Sequence, residues 1–386
     1  MSGEMTDRQR IDAMLHYRDF DRVPLIHMGF WNATIIKWVE EGHIPKQELD
    51  EFFCNGFYID GGTAEQRLAE RLGFDDTYLF FMGQKDRHLD FPLYPVFEEK
   101  IIERYDDGRY KKLQNDGVYV IAKDDITCIP AEMDHTLKDR GSWEEHYKPR
   151  LVWNDERIDT EKLAELIAEN ETRTRSLGLQ VGSLFGKVRN YWGIVGVSYL
   201  MADDFGLLQE CVDTIADVSY GWAEYAFAGG LQPDFAHFWE DICYRSGPLF
   251  SPDLIRELTG KHYRRIADLC GKNGVDIVSL DCDGYIDDLV PVWLDNGVNT
   301  MFPLEVGAWE YDFSTMRKKF GKEILGVGNV NKNIFSKDRK TIDAEVERVK
   351  RLVDLGGFVP CIDHRIAPDA EWDLVLYYCE QMRKAF

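Results

Sequence analysis

The sequence predicts a single α/β domain, a (β/α)₈ barrel that spans residues 1–386. From residue 179 onward, short apolar stretches typical of buried parallel strands alternate with longer stretches that have helical periodicity. Two earlier apolar stretches bring the predicted strands to eight, the number that closes such a barrel. A doubly wound open sheet would produce much of the same pattern, so the strand count alone leaves both folds open.

The predicted strands and helices follow one another along the chain. The strands are expected at residues 25–29, 77–81, 179–184, 234–240, 275–281, 300–303, 324–328 and 358–363. Helical periodicity and capping residues predict helices at residues 6–17, 31–41, 64–72, 252–272 and 342–355.

Residues 83–178 interrupt this alternation and predict a β-hairpin insertion. Strand-like stretches at residues 97–105, 110–113 and 118–122 are separated by Asp-Gly turns, which are typical of hairpins. A linking helix is expected at residues 159–176. Insertions of this kind commonly cover a site, and a contact with a second subunit is the alternative.

Composition and charge exclude several classes of partner. The net charge of -23 argues against a nucleic acid or an anionic membrane. No stretch approaches the roughly 20 apolar residues that span a bilayer, and the first residues lack the apolar segment of a signal peptide. The 8 cysteines form neither a CxxC pair nor a dense secreted framework. A reduced, cytoplasmic protein with a small-molecule substrate is therefore expected.

Carboxylates and one histidine follow the predicted strands at their carboxyl ends, which share one face of a barrel. They are Glu240 after the fourth strand, Asp281 and Asp283 at the fifth, Glu305 after the sixth and His364 after the eighth. Alternation along an extended chain sends Asp281 and Asp283 to one side. Such residues could hold zinc or another divalent ion, or could act as general acid and base. A turn, a helix cap or an ordinary ion pair is the competing explanation for each of them.

An aromatic cluster with one arginine follows the third predicted strand. Arg189, Tyr191 and Trp192 suit a flat organic ligand that carries an acid group. A helix face packed on the insertion explains the same residues equally well. The other substrate-binding candidates are His27, Trp31 and Cys282, and alternation directs Cys282 away from its two aspartate neighbours.

Six stretches that include these residues resemble the uroporphyrinogen decarboxylase superfamily, and the resemblance covers most of the chain. They are residues 21–24 (DRVP), 239–241 (WED), 246–248 (SGP), 281–284 (DCDG), 303–305 (PLE) and 363–368 (DHRIAP). The resemblance implies a (β/α)₈ barrel. The superfamily includes the porphyrin decarboxylases and the corrinoid-linked methyltransferases.

Departures from the family pattern indicate which branch is most similar. True porphyrin decarboxylases carry an arginine-rich segment after the first strand, whereas residues 25–31 (LIHMGFW) contain no arginine. Thiol-methylating members hold zinc with His-x-Cys-Gly and a later cysteine, which align with residues 281–284 (DCDG) and His364. The chain therefore looks closest to the branch that moves a methyl group from a methoxylated aromatic donor to a corrinoid protein.

This resemblance implies a metal-dependent methyltransferase of the O-demethylase type. Asp281, Asp283 and His364, with Glu240 or Glu305, would hold a divalent metal, with zinc the first expectation, and a partner protein would carry the corrinoid. The expected catalytic residues are Glu240, Asp281, Asp283 and His364. The family resemblance also suggests a homodimer. Two alternatives are a decarboxylase of a small or aromatic acid, which would use the same carboxylates and Arg189, and a non-catalytic binding barrel.

Overall fold

The computed structural model describes residues 4–54, 57–77, 92–123, 130–306 and 311–386. The strands in chain order are β1 (Ile26–His27), β2 (Phe53–Cys54), β3 (Phe57–Tyr58), β4 (Asp76–Thr77), β5 (Lys100–Arg104), β6 (Tyr110–Leu113), β7 (Val118–Ala122), β8 (Ala131–His135), β9 (Gly178–Gln180), β10 (Phe235–Trp239), β11 (Cys243–Tyr244), β12 (Gly247–Pro248), β13 (Val278–Asp281), β14 (Thr300–Phe302), β15 (Leu325–Val330) and β16 (Phe358–Ile362).

The helices alternate with these strands through most of the chain. They are α1 (Asp7–Leu15), α2 (Asn32–Glu40), α3 (Thr63–Leu72), α4 (Arg140–Ser142), α5 (Thr160–Ala168), α6 (Phe185–Asp203), α7 (Phe205–Ala228), α8 (Pro252–Lys272), α9 (Val290–Leu294), α10 (Phe313–Phe320), α11 (Arg339–Val353) and α12 (Trp372–Ala385). Shorter helical turns occur at Lys46–Phe52, Trp143–Tyr147, Lys148–Arg150, Asp155–Arg157, Gly321–Glu323 and Lys332–Ser336.

Eight parallel strands form one curled sheet in the order β4-β1-β16-β15-β14-β13-β10-β9. Each strand lies beside its predecessor or successor among the eight, without the reversal of order that a doubly wound sheet requires. The described residues show no hydrogen bonds between the edge strands β4 and β9. Arg175, just before β9, reaches across this seam to Asp76 of β4, with Nε 3.9 Å from Oδ1. The predicted (β/α)₈ barrel is therefore confirmed in part: the eight parallel strands form a barrel-like curled sheet, with a seam between its second and third strands.

Most predicted elements agree with the structure to within a few residues. The predicted helix at residues 252–272 matches α8 (Pro252–Lys272) at both ends. The helix expected at residues 159–176 ends earlier, at Ala168. The amide group of Asn170 explains this end, since it donates to Gly230 O at 2.8 Å and accepts from Gln232 N at 3.1 Å. Residues 78–81 of the second predicted strand lie outside the described residues.

A separate antiparallel sheet, in the order β5-β6-β7-β8, occupies residues 100–135 of the interrupting segment. The sequence does not predict its fourth strand, β8 (Ala131–His135), in which Ala131 and Met133 are the only apolar residues and both are exposed. His135 packs on α6 where Gly193 adopts φ 67 and breaks the helical conformation. A Cβ on Gly193 would lie 2.5 Å from His135 Nε2, so this contact requires glycine. Residues 83–91 and 124–129 of the predicted insertion lie outside the described residues.

The hydrophobic core fills the space between the parallel sheet and the helices that surround it. Phe238 of β10 meets Tyr263 of α8 edge-on, with ring centroids 5.0 Å apart. His237, its neighbour on the strand, instead contacts Ser279 of β13, with Nδ1 2.7 Å from Oγ. Strand residues therefore alternate between the helix-facing side and the inner side of the sheet. Among the helices that the structure describes, none is long and apolar enough to cross a membrane.

Candidate active site

The pairing of β10 with β13 determines which side chains can meet at the carboxyl ends of these strands. His237 is level with Ser279, and Trp239 is level with Asp281. Because side chains alternate, every second residue of β10 faces the inner side of the sheet, from His237 through Trp239 to residue 241. The inner phase of β13 continues from Ser279 through Asp281 to residue 283.

Three aspartates meet at this position. Asp241, Asp281 and Asp283 each offer a carboxylate oxygen, and these oxygens lie within 4.8 Å of one another. The backbone N–H of Asp283 donates to Asp241 Oδ1 at 3.0 Å, which ties the two strand ends together. Asp283 Oδ1 is buried and has no hydrogen-bond partner among the described residues. A bound cation would satisfy this oxygen, so the cluster fits a metal ion.

The electrostatics of the cluster agree with a cation. Burial raises the pKa of Asp283 well above its usual range, and the nearby charges of Asp241 and Glu305 raise it further. Burial also raises the pKa of Asp241 and of Glu305. Without a cation, such carboxyl groups retain protons because their mutual repulsion and desolvation oppose ionisation. A divalent ion would replace those protons and stabilise the carboxylates.

The ligand type indicates the class of ion. Three carboxylate oxygens form a hard ligand set of the kind that binds Mg²⁺, Mn²⁺ or Ca²⁺. Zinc also accepts carboxylates, but its protein sites usually contain histidine or cysteine. Among the described residues, the group whose ligand atoms converge contains neither His364, Glu240 nor Glu305.

Glu240, a predicted ligand, lies on the helix-facing phase of β10, and its carboxylate is directed to α6 and α8. Its Oε1 accepts from the backbone N–H of Leu184 at 2.9 Å and from the hydroxyl of Tyr263 at 2.7 Å. Its Oε2 accepts from the backbone N–H of Gly186 at 2.7 Å. The structure therefore engages Glu240 in a buried hydrogen-bond network beside the cluster rather than within it.

Glu305 lies near the three aspartates, whereas the described neighbours of His364 are Trp31, Lys332 and Arg365. Glu305 Oε2 accepts from the backbone N–H of Gly284 at 3.2 Å. The His364 ring stacks on Trp31, with centroids 5.6 Å apart and an interplanar angle of 22°. Burial lowers the pKa of His364 to about 3, and its neighbours Lys332 and Arg365 add to this effect. His364 is therefore a neutral imidazole at physiological pH, and its Nδ1 is buried without a partner among the described residues.

Of the three residues predicted after the third strand, Arg189 lies at the site, whereas Tyr191 and Trp192 lie in the core. Arg189 donates from Nη2 to the backbone oxygen of Asp241 at 2.9 Å. Tyr191 is buried against Tyr147, with ring centroids 5.1 Å apart, and Trp192 is also buried. Both aromatic rings therefore lie on a packed helix face, which was the alternative to a ligand-binding role.

Two other predicted substrate-binding residues, His27 and Cys282, are buried within the fold, whereas Trp31 is half-buried. His27 lies between Phe30 and Phe74, and its Nδ1 accepts from the backbone N–H of Gly29 at 3.0 Å. Cys282 is buried, and its Sγ donates to the backbone oxygen of Asp283 at 3.5 Å.

Sequence reasoning missed two charged residues of the site, Asp241 and Lys332. Alternation counted from the inner residue His237 would have selected Asp241 instead of Glu240. Asp241 also has φ 47, a left-handed conformation that is uncommon for a residue with a side chain. Lys332 follows β15, and its charge favours the ionised forms of Asp283 and Glu305. No motif in the sequence marks Lys332.

Comparison with known proteins supports the fold. No family model and no curated protein matches the chain. Among solved structures, it is similar to a methyltransferase from Methanosarcina mazei, with 12% identity, 99% of each chain covered and a TM-score of 0.56. The chain shares the fold of this methyltransferase. The similarity agrees with the predicted superfamily resemblance at the level of fold.

Two further similarities are weaker. A B12-independent methionine synthase from Shewanella sp. W3-18-1, in complex with selenomethionine, has 12% identity over 83% of this chain and 85% of that chain, with a TM-score of 0.42. A putative vitamin-B12 independent methionine synthase from Listeria monocytogenes has 14% identity over 58% of this chain and 69% of that chain, with a TM-score of 0.36. The comparison of folds rests on the Methanosarcina protein.

Proposed function

We propose that this chain is a methyl-transfer enzyme whose active site holds a divalent cation between Asp241, Asp281 and Asp283. The observation that carries the proposal is the convergence of three carboxylates at neighbouring strand ends, one of them with a buried oxygen that lacks a partner. Barrel enzymes carry their chemistry at this face. The whole-chain similarity to a methyltransferase supports methyl transfer as the reaction.

The cation would act as a Lewis acid that polarises the oxygen of an ether donor. Asp241, Asp281 and Asp283 would hold it and would supply the negative charge that balances it. Their oxygen-only ligand set supports a hard ion such as Mg²⁺ or Mn²⁺ in preference to the zinc that the family resemblance first suggested.

The methyl donor in this proposal is a small methoxylated aromatic compound. A corrinoid on a partner protein would supply reduced cobalt as the nucleophile that takes the methyl group. The bond between the methyl carbon and the donor oxygen breaks, and its electron pair remains on the oxygen. Glu305, which lies beside the cluster and accepts from the backbone N–H of Gly284, would pass a proton from solvent to that oxygen.

Arg189 favours a second candidate function, the decarboxylation of a small or aromatic acid. Its guanidinium lies beside Asp241, and its Nε is buried without a partner among the described residues. A guanidinium with a free N–H is suited to a substrate carboxylate. In this alternative, a protonated carboxyl group of the cluster returns a proton to carbon after CO₂ leaves, and no cation is needed.

Metal analysis and calorimetry of the purified protein test the proposal. We expect about one divalent ion per chain, with Asp281→Asn and Asp283→Asn each weakening Mn²⁺ binding by at least about 100-fold, more than the loss typical of residues that only support ligands. Asp288→Asn is the matched control because it removes an exposed carboxylate from the same loop. All variants are first checked for folding by circular dichroism.

Methyl transfer is then followed through the absorbance of a corrinoid acceptor, with methoxylated aromatic donors. Transfer that depends on the cation and on Asp281 supports the proposal. A protein that binds no ion and releases CO₂ from an aromatic acid at full rate would overturn it in favour of the decarboxylase.

A further inference from the structure

We infer that Glu240 is a positioning residue for the cation site and holds Asp241 in the conformation that lets its carboxylate meet Asp281 and Asp283. This inference rests on the proposed function, since it concerns the same cation. It assigns Glu240 a role different from that of a metal ligand.

The carboxylate of Glu240 joins three elements of the fold. It is fully buried and accepts three hydrogen bonds, from the backbone N–H groups of Leu184 and Gly186 and from the hydroxyl of Tyr263. Leu184 is the N-cap of α6, and its own side chain makes no capping hydrogen bond. Glu240 therefore caps α6 from a neighbouring strand, where the unpaired N–H groups of a helix favour an anion.

The close approach of α6 to residue 240 confirms that this contact is constrained. A Cβ on Gly186 would lie 2.1 Å from the backbone oxygen of Glu240, so any larger residue would collide with main-chain atoms. The first turn of α6 thus packs directly on the backbone that leads into Asp241.

Hydrogen bonds hold the backbone on both sides of Asp241. On the preceding side, the N–H of Glu240 donates to the backbone oxygen of Asp281 at 2.8 Å. On the following side, the backbone oxygen of Asp241 accepts from Arg189 of α6 at 2.9 Å. Between these points Asp241 has φ 47. A non-glycine residue keeps such a conformation only when its surroundings hold it there.

The positioning role explains why a carboxylate, and not an apolar side chain, occupies the buried position of Glu240. A well-packed apolar side chain is often at least as stable in a core as a buried charged group. An apolar residue would, however, leave two N–H groups of α6 and the Tyr263 hydroxyl without their acceptor. Without this anchor, we expect Asp241 to relax toward a negative φ and to move its carboxylate out of the cluster.

The experiment measures Mn²⁺ affinity in Glu240→Gln and Tyr263→Phe. A glutamine keeps the shape but has a single oxygen, so at least one helix N–H loses its acceptor. We expect Glu240→Gln to weaken Mn²⁺ binding by about 10- to 100-fold, the range found when residues that support metal ligands are replaced. Tyr263→Phe removes one of three hydrogen bonds and keeps the carboxylate, so we expect a smaller loss in the same direction.

Glu65→Gln is the matched control, because Glu65 is also a buried carboxyl group but lies outside the cluster. Affinity is measured by calorimetry under conditions in which each variant is fully folded, and electron paramagnetic resonance of bound Mn²⁺ reports changes in its surroundings. A Glu240→Gln protein that is less stable but binds Mn²⁺ within twofold of the wild type overturns the inference. If Glu240→Gln does not fold, an unchanged affinity and spectrum in Tyr263→Phe overturn it. Failure of the wild type to bind Mn²⁺ overturns the proposed function itself.

Discussion

Two groups of buried acidic side chains lie against the parallel sheet, and they differ in one respect. In the three-aspartate cluster between β10 and β13, carboxylate oxygens converge within 4.8 Å. Beside β1 and β4, Glu65 and Asp76 are buried, and burial raises the pKa of Glu65 to about 7 and that of Asp76 to about 6. Raised pKa values therefore occur in both groups.

The difference lies in the partners of the oxygens. Glu65 Oε2 accepts from the backbone N–H of Gly61 at 2.8 Å, and Asp76 Oδ1 accepts from that of Thr77 at 2.8 Å. Asp76 Oδ2 has no partner, but no other ligand atoms gather around it among the described residues. Burial alone thus raises the pKa of a carboxyl group, whereas convergence of several oxygens is what points to a cation.

The largest expected effect concerns the pH dependence of stability at Glu65. Below about pH 4.5 its carboxyl group is protonated in the folded and unfolded states, and above that pH the unfolded state ionises first. The free energy of unfolding therefore falls by about 3 kcal/mol as pH rises from about 4.5 to about 7. Above about pH 7 this group causes no further change. Urea unfolding of Glu65→Gln at several pH values should show this loss removed. Equal pH dependence in wild type and variant would contradict the assignment.

The next effect separates the two groups by their response to a cation. With Mn²⁺ at 100 times its dissociation constant, we expect the wild type to gain about 2.7 kcal/mol in the free energy of unfolding. Glu65→Gln should keep this gain, because no cation binds at Glu65. Asp283→Asn should lose it, and urea unfolding with and without Mn²⁺ measures both. A gain that survives in Asp283→Asn would show that the ion binds elsewhere.

The strands and the alternation of their side chains were predictable from local sequence. Apolar, β-branched stretches mark the buried strands, and a period of two placed Asp281 and Asp283 on the same side. The same rule, applied from His237, distinguishes Asp241 from Glu240. The prediction selected Glu240 from its residue type and its place after the strand, without following the phase of β10, and so missed Asp241.

The contacts of Glu240 and Lys332 could not be read from local sequence. Glu240 caps a helix whose N-cap, Leu184, lies 56 residues earlier in the chain. Lys332 acts on Asp283 through its charge, and it follows β15, which lies two strands from β13 in the sheet. Such contacts between distant parts of the chain follow from the order of the strands in the sheet. The sequence therefore predicts the face that carries the site, while the partners of each side chain require the fold.

The smallest expected effect concerns the ion pair across the seam of the sheet. Arg175 is half exposed, and its Nε lies 3.9 Å from Asp76 Oδ1, so water screens the attraction. We expect Arg175→Gln to lower the free energy of unfolding by about 0.5 kcal/mol, as for other exposed pairs, whereas Arg175→Lys should keep most of it. Arg175→Gln should also raise the pKa of Asp76 further, because the positive charge of Arg175 lowers that pKa in the wild type.

Urea unfolding and nuclear magnetic resonance titration of the labelled Asp76 carboxyl group measure the two effects. A loss above about 2 kcal/mol would be too large for an exposed pair and would mean that this contact holds the seam closed. The small loss that we expect instead implies that apolar packing of the surrounding helices keeps β4 and β9 together. Burial would then explain the acidic side chains beside β4, whereas the three-aspartate cluster is the group that we propose to bind a cation.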